Sequence, residues 1–520
     1  LTEDIFRKNV LTFISNFKNL KKIITIVTIS IDIYLPMKFH HHFRTFHNKA
    51  FINNQWVNAL SQKTFPVMNP ATSEPIGCVP DMNVDDTQHA IKAAQDAFQI
   101  WKHTTGKERS FYLRNWYNYL SCNKESLAQI ILQECGKPIK ESEAEIRYGN
   151  SFVEFFSNEA RRIHGEILSS PVPDKKIFVE KQPIGVVALI TPWNFPYALV
   201  ARKASAALAA GCTCVVKPAE DTPFSALTLA EMTQAAGFPD GVFNVVTSGR
   251  ENTPKVGSLM CTSPLVAGIS FTGSTNVGKI LYKQCSSGIK RLGLELGGDA
   301  PFIVYASADV DKAVKGAMSS KFRSCGQTCV ASNRFFIHCS KYDEFCGKLL
   351  EQVSQLKIGD LQDRATNIGP LINQAQYDKV STLVQDAVSK GARVLTGGTG
   401  TPLLYQPTVL ADVTPDMQIY KKEVFGPVVN LLRFKDEEES VCMANDTLTG
   451  LAGYIFSEDV AQIFRVTKML EVGMCGVNEG AISMAEIPFG GVKESGIGRE
   501  GSHYGIDDYT YMKYICIGSL

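Results

Sequence analysis

The chain has 520 residues, of which 44% are hydrophobic and 20% are charged, an ordinary profile for a globular protein of about three domains. Its 53 Lys and Arg nearly balance its 52 Asp and Glu, which argues against nucleic acid as the main partner. No apolar stretch reaches the ~18–20 residues of a membrane-spanning helix, and 14 Cys are too dilute for a disulfide scaffold. These limits predict a soluble, intracellular, multi-domain protein with free thiols.

The first fifty residues differ in composition from the rest of the chain. They hold eight Lys or Arg against three Asp or Glu, a basic bias that resembles an organelle transit peptide. An untranslated extension, wrongly joined to the sequence, explains the bias equally well. We therefore treat residues 1–50 as a leader and expect a mitochondrial location, with the cytoplasm as the alternative. The histidines of this leader have no Cys or carboxylate cluster beside them, so no metal site is predicted.

Strands and helices alternate from Phe51 onward. Ile91, Ala94, Phe98 and Trp101 recur at helical spacing, which predicts one helix with a buried face. Apolar runs predict strands at 184–190, 214–217, 242–246, 268–272 and 291–296, and helices at 201–210 and 222–236. This alternation predicts a parallel, doubly wound sheet, which is the usual platform for a dinucleotide. A second strand–helix series over 301–477 predicts a second α/β unit.

A glycine-containing loop, residues 273–280, lies between a predicted strand and a predicted helix. Its sequence approaches the phosphate-binding P-loop, but Ile280 stands where that pattern needs a hydroxyl for Mg²⁺, which argues against nucleotide hydrolysis. The G-x-G-x-x-G pattern of dinucleotide folds is also absent. The loop therefore predicts either a helix N-terminus that receives a pyrophosphate or a simple capping turn.

Cys329 is the candidate nucleophile. It follows Gly326-Gln327-Thr328 and a predicted helix at 309–320, a setting expected to hold the thiol exposed in electropositive surroundings that favour thiolate. An inert, packed Cys is the alternative. None of the nine His lies in a convincing partner motif. Glu295 ends an apolar strand, where desolvation would raise its pKa and suit it as a general base, unless it is a salt-bridged structural residue.

Seven motifs follow one another in a fixed order along the chain. They are Thr191-Pro192-Trp193-Asn194-Phe195-Pro196, Val216-Lys217-Pro218-Ala219-Glu220, Phe271-Thr272-Gly273-Ser274-Thr275, Glu295-Leu296-Gly297-Gly298, Gly326-Gln327-Thr328-Cys329, Glu423-Val424-Phe425-Gly426-Pro427 and Pro488-Phe489-Gly490-Gly491. Their order resembles the aldehyde dehydrogenase superfamily over essentially all of residues 51–520. Residues 217–227, 321–323 and 498–502 are similar to succinate-semialdehyde dehydrogenases in particular.

The resemblance implies an α/β aldehyde dehydrogenase fold with three parts. A Rossmann-like NAD-binding domain would comprise residues 51–164 and 185–297, and an α/β catalytic domain residues 298–494. An oligomerisation arm and tail would comprise residues 165–184 and 495–520. The β-arm is expected to pair with the C-terminal tail across subunits of a homotetramer.

The resemblance also implies roles for individual residues. Cys329 would attack the aldehyde carbon, the Asn194 amide and the Cys329 N–H would hold the oxyanion, and Glu295 would activate water. The residues expected to bind NAD are Pro192, Trp193, Lys217, Glu220, Gly273, Ser274, Glu423 and Phe425. Glu220 would accept a hydrogen bond from the adenosine ribose and repel a 2′-phosphate, which favours NAD over NADP.

The implied reaction is NAD-dependent oxidation of succinic semialdehyde to succinate through a cysteine thiohemiacetal and thioester, in GABA degradation. Arg202, Arg323 and Ser483 match the positions that bind the substrate carboxylate in such enzymes. Each Arg could instead pair with a surface acid. The alternative substrates are glutarate semialdehyde and medium aliphatic aldehydes. A catalytically idle member of the fold and an acyl-CoA reductase fit the catalytic set less well.

Three positions depart from the family pattern. Asp299 stands where relatives often carry Asn, Lys or an apolar residue, and we expect it either to raise the pKa of Glu295 or to face solvent. Ala331 replaces a second Cys found in some relatives, so a disulfide of that spacing is impossible. Cys325 is the remaining candidate partner for Cys329.

Overall fold

The structure of the protein is a computed structural model that describes residues 46–519. Its helices are α1 (Val84–Trp101), α2 (Gly106–Cys122), α3 (Lys124–Cys135), α4 (Ile139–Glu159), α5 (Ala198–Ala210), α6 (Pro223–Ala235), α7 (Thr253–Thr262), α8 (Thr275–Cys285), α9 (Val310–Lys321), α10 (Tyr342–Ser354), α11 (Gln374–Ser389), α12 (Gln418–Lys421), α13 (Glu437–Asn445) and α14 (Val460–Met469).

The strands of residues 46–519 form six sheets. They are β1 (Ala50–Ile52), β2 (Gln55–Val57), β3 (Thr64–Met68), β4 (Pro75–Pro80), β5 (Glu166–Leu168), β6 (Lys175–Pro183), β7 (Val186–Ile190), β8 (Thr213–Lys217), β9 (Phe243–Val245), β10 (Val266–Thr272), β11 (Arg291–Glu295), β12 (Ala300–Val304), β13 (Ser332–His338), β14 (Arg393–Thr396), β15 (Gly400–Thr401), β16 (Leu404–Tyr405), β17 (Thr408–Ala411), β18 (Val428–Phe434), β19 (Thr449–Gly450), β20 (Ala452–Phe456), β21 (Met474–Val477), β22 (Val492–Lys493), β23 (Gly496–Ile497) and β24 (Thr510–Gly518).

The larger sheet has eight strands in the order β2-β1-β9-β8-β7-β10-β11-β23. Its five central strands are parallel, and the flanking strands are antiparallel. Along β7, Val187 and Leu189 join one apolar cluster, while Val186, Ala188 and Ile190 join another. Because successive side chains of a strand point to opposite faces, both faces of this sheet are covered. The predicted doubly wound sheet is confirmed, with strand ends within about two residues of prediction.

The second sheet has seven strands in the order β14-β17-β18-β13-β12-β20-β21. All of its pairings are parallel except that of β14 with β17. The apolar side chains of these strands and of the helices beside them form one continuous core. The second strand–helix series predicted over 301–477 therefore forms a sheet of its own.

Three strands of the larger sheet end at one edge, and this edge positions the candidate site. β7 ends at Ile190, β10 at Thr272 and β11 at Glu295, and these three strands are parallel neighbours. In open parallel sheets, ligands bind outside the carboxyl ends of the strands. The loop after β7 leads to α5, which is closed by Gly211 at φ 98, a left-handed conformation that suits glycine.

The arm and the tail form a three-stranded sheet, and one expectation about it is wrong. Strand β24 pairs with β6 over nine residues, from Thr510↔Pro183 to Gly518↔Lys175, within a single chain and not across subunits. The Tyr509 carbonyl accepts the Ile184 N–H at 3.1 Å, which brings the tail alongside the end of β6. The chain thus completes its own arm sheet.

The expected start of the fold at Phe51 is also slightly late. His47 is buried, its Nε2 lies 2.6 Å from Glu231 Oε2, and its ring stacks on Trp56 at 3.7 Å. These contacts place residues 46–50 within the fold. The remainder of the predicted leader lies outside the described residues.

Candidate active site

A cavity of about 210 Å³ opens beside the carboxyl ends of β7, β10 and β11. Eight of the predicted site residues line it: Pro192, Trp193, Asn194, Gly273, Ser274, Cys329, Glu423 and Phe425. They come from four separate parts of the sequence. The expected nucleophile and most of the expected NAD-binding residues therefore meet in one place.

The nucleophile loop begins with an unusual turn. Ser324 (φ 52), Cys325 (φ 55) and Gly326 (φ 72) are three successive residues with left-handed backbone. For a residue with a Cβ this conformation costs roughly 1–2 kcal/mol. Gln327 helps to hold the turn, because its side chain donates to the Ser324 carbonyl and accepts the Ile372 N–H at 3.0 Å.

The Cys329 thiol is less accessible than expected. It is half-buried, and burial raises its pKa to about 12, although the Arg202 and Arg323 charges act to lower it. The expectation of an exposed thiol that favours thiolate is thus wrong on exposure and correct on the neighbouring positive charge. Despite the charges of Arg202 and Arg323, the Cys329 thiol must lose its proton to a base before it can react as thiolate.

The Asn194 amide lies against the same loop. Its Nδ2 donates to the Gln327 carbonyl at 3.0 Å, and its Oδ1 is buried without a hydrogen-bond partner. This contact fixes an amide donor group beside Cys329. A fixed donor at this point suits the expected oxyanion role.

Glu295 is buried at the end of β11, and neither of its carboxyl oxygens has a hydrogen-bond partner among residues 46–519. Burial raises its pKa well above the ordinary value, and the nearby Glu500 charge raises it further. The alternative of a salt-bridged structural residue is wrong. An unpartnered carboxyl group with a raised pKa is what a general base for water needs.

A buried charge cluster lies behind Glu295. Glu500 Oε2 is 2.5 Å from Arg202 Nε, and Glu500 Oε1 accepts from Lys203, which also donates to Ser270 at 2.9 Å. Burial alone would raise the pKa of Glu500, but the two cations hold it below its ordinary value. Arg202 therefore pairs with a buried acid, not with the surface acid considered from the sequence.

Arg323 differs from Arg202 in having no ionic partner. Its guanidinium lies over the Phe195 ring at 5.4 Å from the ring centre. No carboxylate of residues 46–519 forms an ion pair with it. Tyr148 lies within the influence of both arginine charges, and its hydroxyl accepts from Arg202 Nη1 at 3.4 Å. Ser483 is half-buried in the loop that follows β21.

The expected cofactor residues extend beyond the cavity. Lys217 is buried at the end of β8, 3.9 Å from the partly exposed Glu220. Ser274 caps α8 by accepting the Val277 N–H at 3.4 Å. Glu423 accepts the Gly298 N–H at 3.2 Å, and burial raises its pKa to about 7.

A cleft of about 800 Å³ shares Ser274, Gly297, Lys379 and Glu423 with the catalytic cavity. Its size is within the range of cofactor sites. At Gly297 a Cβ would lie only 3.1 Å from Glu423 Oε2, so glycine keeps this wall open. A helix N-terminus beside a wall without a side chain can receive the pyrophosphate of a dinucleotide.

Both expectations for Asp299 are wrong. The residue is buried, its Oδ2 is 3.0 Å from Arg334 Nε, and its Oδ1 accepts from Asn333 at 2.7 Å. The Asp299 carboxylate is therefore paired with the guanidinium of Arg334, which lies in a strand of the second sheet. Cys325 is buried near Glu141 and Lys321, whereas the Cys329 thiol faces the two arginines and Glu295.

Four site residues were missed from the sequence: Lys203, Glu500, Tyr148 and Glu141. Lys203 and Glu500 are 297 positions apart, and no local pattern reports such a pairing. A usable signal was a charged residue within an otherwise apolar helix, as Lys203 is in α5.

The part of the chain that the structure describes contains no group of three or more His, Cys, Asp or Glu side chains that could hold a metal ion. Among the same residues, no helix has both the length and the apolar character needed to cross a membrane.

Comparison with known proteins gives a consistent result. Residues 56–515 match the aldehyde dehydrogenase family. The chain is 52% identical over 475 residues to the mitochondrial succinate-semialdehyde dehydrogenase of Homo sapiens, covering 91% of this chain and 88% of that one. It is 49% identical over 476 residues to the NADP(+) succinate-semialdehyde dehydrogenase of Escherichia coli (strain K12), covering 91% and 98%. It is also 49% identical over 475 residues to glutarate-semialdehyde dehydrogenase of Pseudomonas putida, covering 91% and 98%.

Solved structures agree with this result. The crystal structure of succinate-semialdehyde dehydrogenase from Burkholderia pseudomallei matches with a TM-score of 0.90 at 49% identity, covering 91% of this chain and 98% of that one. Betaine aldehyde dehydrogenase from Staphylococcus aureus in complex with NAD+ matches with a TM-score of 0.88 at 32% identity, covering 91% and 95%. The predicted α/β fold of this family is confirmed.

Proposed function

This chain belongs to the aldehyde dehydrogenase family, and from that premise we propose that it oxidises succinic semialdehyde to succinate with NAD. The observation that carries the choice of substrate is Arg323, a cation close to the nucleophile Cys329 that has no ionic partner within residues 46–519. An anionic group at the far end of the aldehyde would give Arg323 that partner.

The residues of the site divide the oxidation into two steps. Cys329 first loses its thiol proton to solvent, and the thiolate then attacks the aldehyde carbon, while the Asn194 amide and the Cys329 N–H hold the oxyanion of the thiohemiacetal. When bound, NAD supplies the acceptor for the hydride that leaves this carbon, and a thioester remains on Cys329. Glu295 then takes a proton from water, whose oxygen attacks the thioester and releases the carboxylate and the thiol.

Several residues would hold the cofactor. Lys217 and Glu220 would contact the adenosine ribose, and the α8 N-terminus at Ser274 would receive the pyrophosphate. Glu423 and Phe425 would contact the nicotinamide end, and Trp193 packs edge-on against Phe425 with ring centres 5.5 Å apart. The Glu220 carboxylate supports NAD over NADP, because it would repel a 2′-phosphate.

The wider proposal covers domains, assembly and location. Residues 51–164 and 185–297 would form the cofactor domain and residues 298–494 the catalytic domain, an assignment supported by the two separate sheets. The arm and tail would serve assembly into a homotetramer. A mitochondrial location is supported by the names of the mammalian relatives.

Glutarate semialdehyde is the second candidate substrate, because the Pseudomonas putida glutarate-semialdehyde dehydrogenase is as similar to this chain, at 49% identity, as the Escherichia coli succinate-semialdehyde dehydrogenase. The two semialdehydes differ by one methylene, which a pocket distinguishes by only ~10–200-fold. Steady-state kcat/KM for both semialdehydes and for butanal, each with NAD and NADP, tests the proposal. We expect succinic semialdehyde with NAD to be highest, and equal values for butanal would refute an anionic substrate.

A further inference from the structure

The left-handed turn of Ser324, Cys325 and Gly326 joins the two groups on which the proposed reaction depends. Arg323 precedes the turn directly, and Cys329 follows it by three residues. Glycine adopts this backbone without steric cost, whereas Ser324 and Cys325 adopt it only where their surroundings hold them. The position of both functional groups therefore depends on whatever holds this turn.

One side chain from a distant part of the sequence reaches the turn. Glu141 lies in the first turn of α4, and its Oε1 accepts the Ser324 N–H at 2.9 Å. The distance in sequence between the two residues is 183 positions. Helix α4 packs in the core of the larger sheet, whereas Cys325 packs in the core of the second sheet. The hydrogen bond from the Ser324 N–H to Glu141 thus links a helix of the larger sheet's core to a strained turn that packs on the core of the second sheet.

Within the part of the chain that the structure describes, the carboxylate of Glu141 makes no other hydrogen bond. Its Oε2 is buried without a partner, and the neighbouring Lys137 is paired with Glu145 at 2.5 Å. Burying a carboxyl group for a single hydrogen bond is unfavourable unless that bond does something that an apolar side chain could not do. Here the bond satisfies the amide of a residue with strained backbone.

We propose that Glu141 is a positioning residue, which holds the left-handed turn through the Ser324 amide and thereby sets Arg323 and Cys329. Glu141 does not line the cavity that contains Cys329; it acts on the site through the turn, and its carboxyl group also lies in the field of the Arg323 charge. The inference rests on the proposed aldehyde oxidation at Cys329, and it does not depend on which aldehyde is the substrate.

Four variants test this role: Glu141→Ala, Glu141→Gln, Ser324→Gly, and the double variant Glu141→Ala/Ser324→Gly. Because misplaced reacting groups lower rates steeply, we expect Glu141→Ala to reduce kcat/KM at least ~10-fold for the best aldehyde. Glu141→Gln keeps an oxygen acceptor and should stay within ~3-fold of the parent protein. Glycine at 324 needs no support for its left-handed backbone, so the double variant should recover to within ~3-fold of Ser324→Gly.

Glu143→Ala is the matched control. Glu143 lies two residues further along α4 and makes a surface pair with Arg364, with both N–O distances 2.9 Å. Its loss removes the same charge from the same helix without touching the turn, and should leave kcat/KM unchanged. The proposal is overturned if Glu141→Gln is as impaired as Glu141→Ala, or if Ser324→Gly gives no rescue.

Two further outcomes distinguish this role from a folding defect and from a wrong choice of substrate. If Glu141→Ala is insoluble, recovery of soluble, active protein in the double variant supports the proposal, and failure to recover it overturns the proposal. If the unmodified enzyme shows no preference for semialdehydes, the substrate assignment fails, but the comparison among the variants is still read on whichever aldehyde is oxidised fastest.

Discussion

At the scale of single residues, the pKa values of two buried carboxyl groups near the nucleophile are shifted in opposite directions. Burial raises the pKa of Glu295 well above its ordinary value, whereas Arg202 and Lys203 hold the pKa of Glu500 below its own. Environments that separate the pKa values of neighbouring groups mark the division of acid and base roles. Glu295 is left as the group able to exchange a proton, and Glu500 stays ionised as part of the cation cluster.

The first prediction concerns pH. Below its raised pKa, Glu295 is protonated and cannot take a proton from water, so kcat should rise as the pH increases towards that pKa. In Glu295→Gln we expect a burst of NADH and then a stall at the thioester, with this pH dependence lost. Stopped-flow absorbance of both proteins across pH provides the measurement. Absence of a burst would mean that Glu295 acts earlier, on the thiol.

The second prediction separates the two arginines. Arg323→Ala should weaken the binding of the transition state for succinic semialdehyde by about 2–5 kcal/mol, which lowers kcat/KM at least ~30-fold. Its effect on uncharged butanal should be much smaller. Arg202→Ala should impair both substrates, because it also leaves the buried Glu500 with only Lys203 as a partner. Steady-state kinetics of both variants on both aldehydes decides the matter. Equal losses on both substrates in Arg323→Ala would remove the physical support for a carboxylate-bearing substrate.

The sequence predicts some of these residues better than others. Cys329, Glu295 and Asn194 are recognisable from their motifs, and the cavity brings Cys329 and Asn194 together as expected. The pairings of Arg202 with Glu500 and of Asp299 with Arg334 are not predictable in the same way. Such pairs join residues far apart in sequence, and they are created only when the chain folds.

At the scale of elements, helix α6 shows how the fold supports the segment that is proposed to bind the cofactor. It follows the Lys217–Glu220 segment, and its own first residues supply no side-chain cap. Instead, Glu134 of α3 accepts the N–H groups of Phe224 and Ser225 at 2.8 and 2.9 Å. A buried carboxyl group from another helix thus satisfies the free donors at the start of α6.

The third prediction tests this cap. Glu134→Ala should leave two buried amides unsatisfied and lower the free energy of unfolding by about 1–3 kcal/mol. The exposed Glu125, in the first turn of the same helix α3, is the control, and Glu125→Ala should change stability by less than ~0.5 kcal/mol. Urea unfolding followed by circular dichroism compares the two. Similar values for both variants would show that the cap does not stabilise α6.

Elements were predicted well where periodicity is strong, and poorly where tertiary pairing decides. Strand β7 and helix α5 follow from apolar runs and small residues that permit few other structures. The pairing of β24 with β6 in one chain does not follow from either segment, because neither alternates polar and apolar residues and neither has a buried face. Which strand a tail joins depends on where the preceding turn delivers it.

At the scale of the whole molecule, the arm sheet is the clearest unpartnered surface. Met512 and Tyr514 share one face of β24 and are 73% and 62% exposed. Exposed apolar side chains grouped on one face of this separate three-stranded sheet are typical of an interface. This supports the arm as the assembly element of the proposed homotetramer.

The fourth prediction concerns this surface. Replacing both residues in Met512→Lys/Tyr514→Lys should reduce the mass of the particle in solution, because two charges would have to be buried in the interface. Lys513→Ala, on the opposite face of the same strand, is the control and should leave the mass unchanged. Size-exclusion chromatography with light scattering gives the masses. An unaltered assembly in the double variant would place the interface elsewhere.

In the proposed reaction Cys329 carries the acyl group of a carboxylate-bearing aldehyde during turnover, and this group can be trapped. Glu295→Gln protein is mixed with NAD and succinic semialdehyde, digested at low pH, and its peptides are weighed by mass spectrometry. We predict a succinyl group on the peptide that contains Cys329, and none when NAD is omitted, because oxidation must precede the thioester. A succinyl group on another cysteine, or an unmodified Cys329 after NADH has formed, would contradict the account.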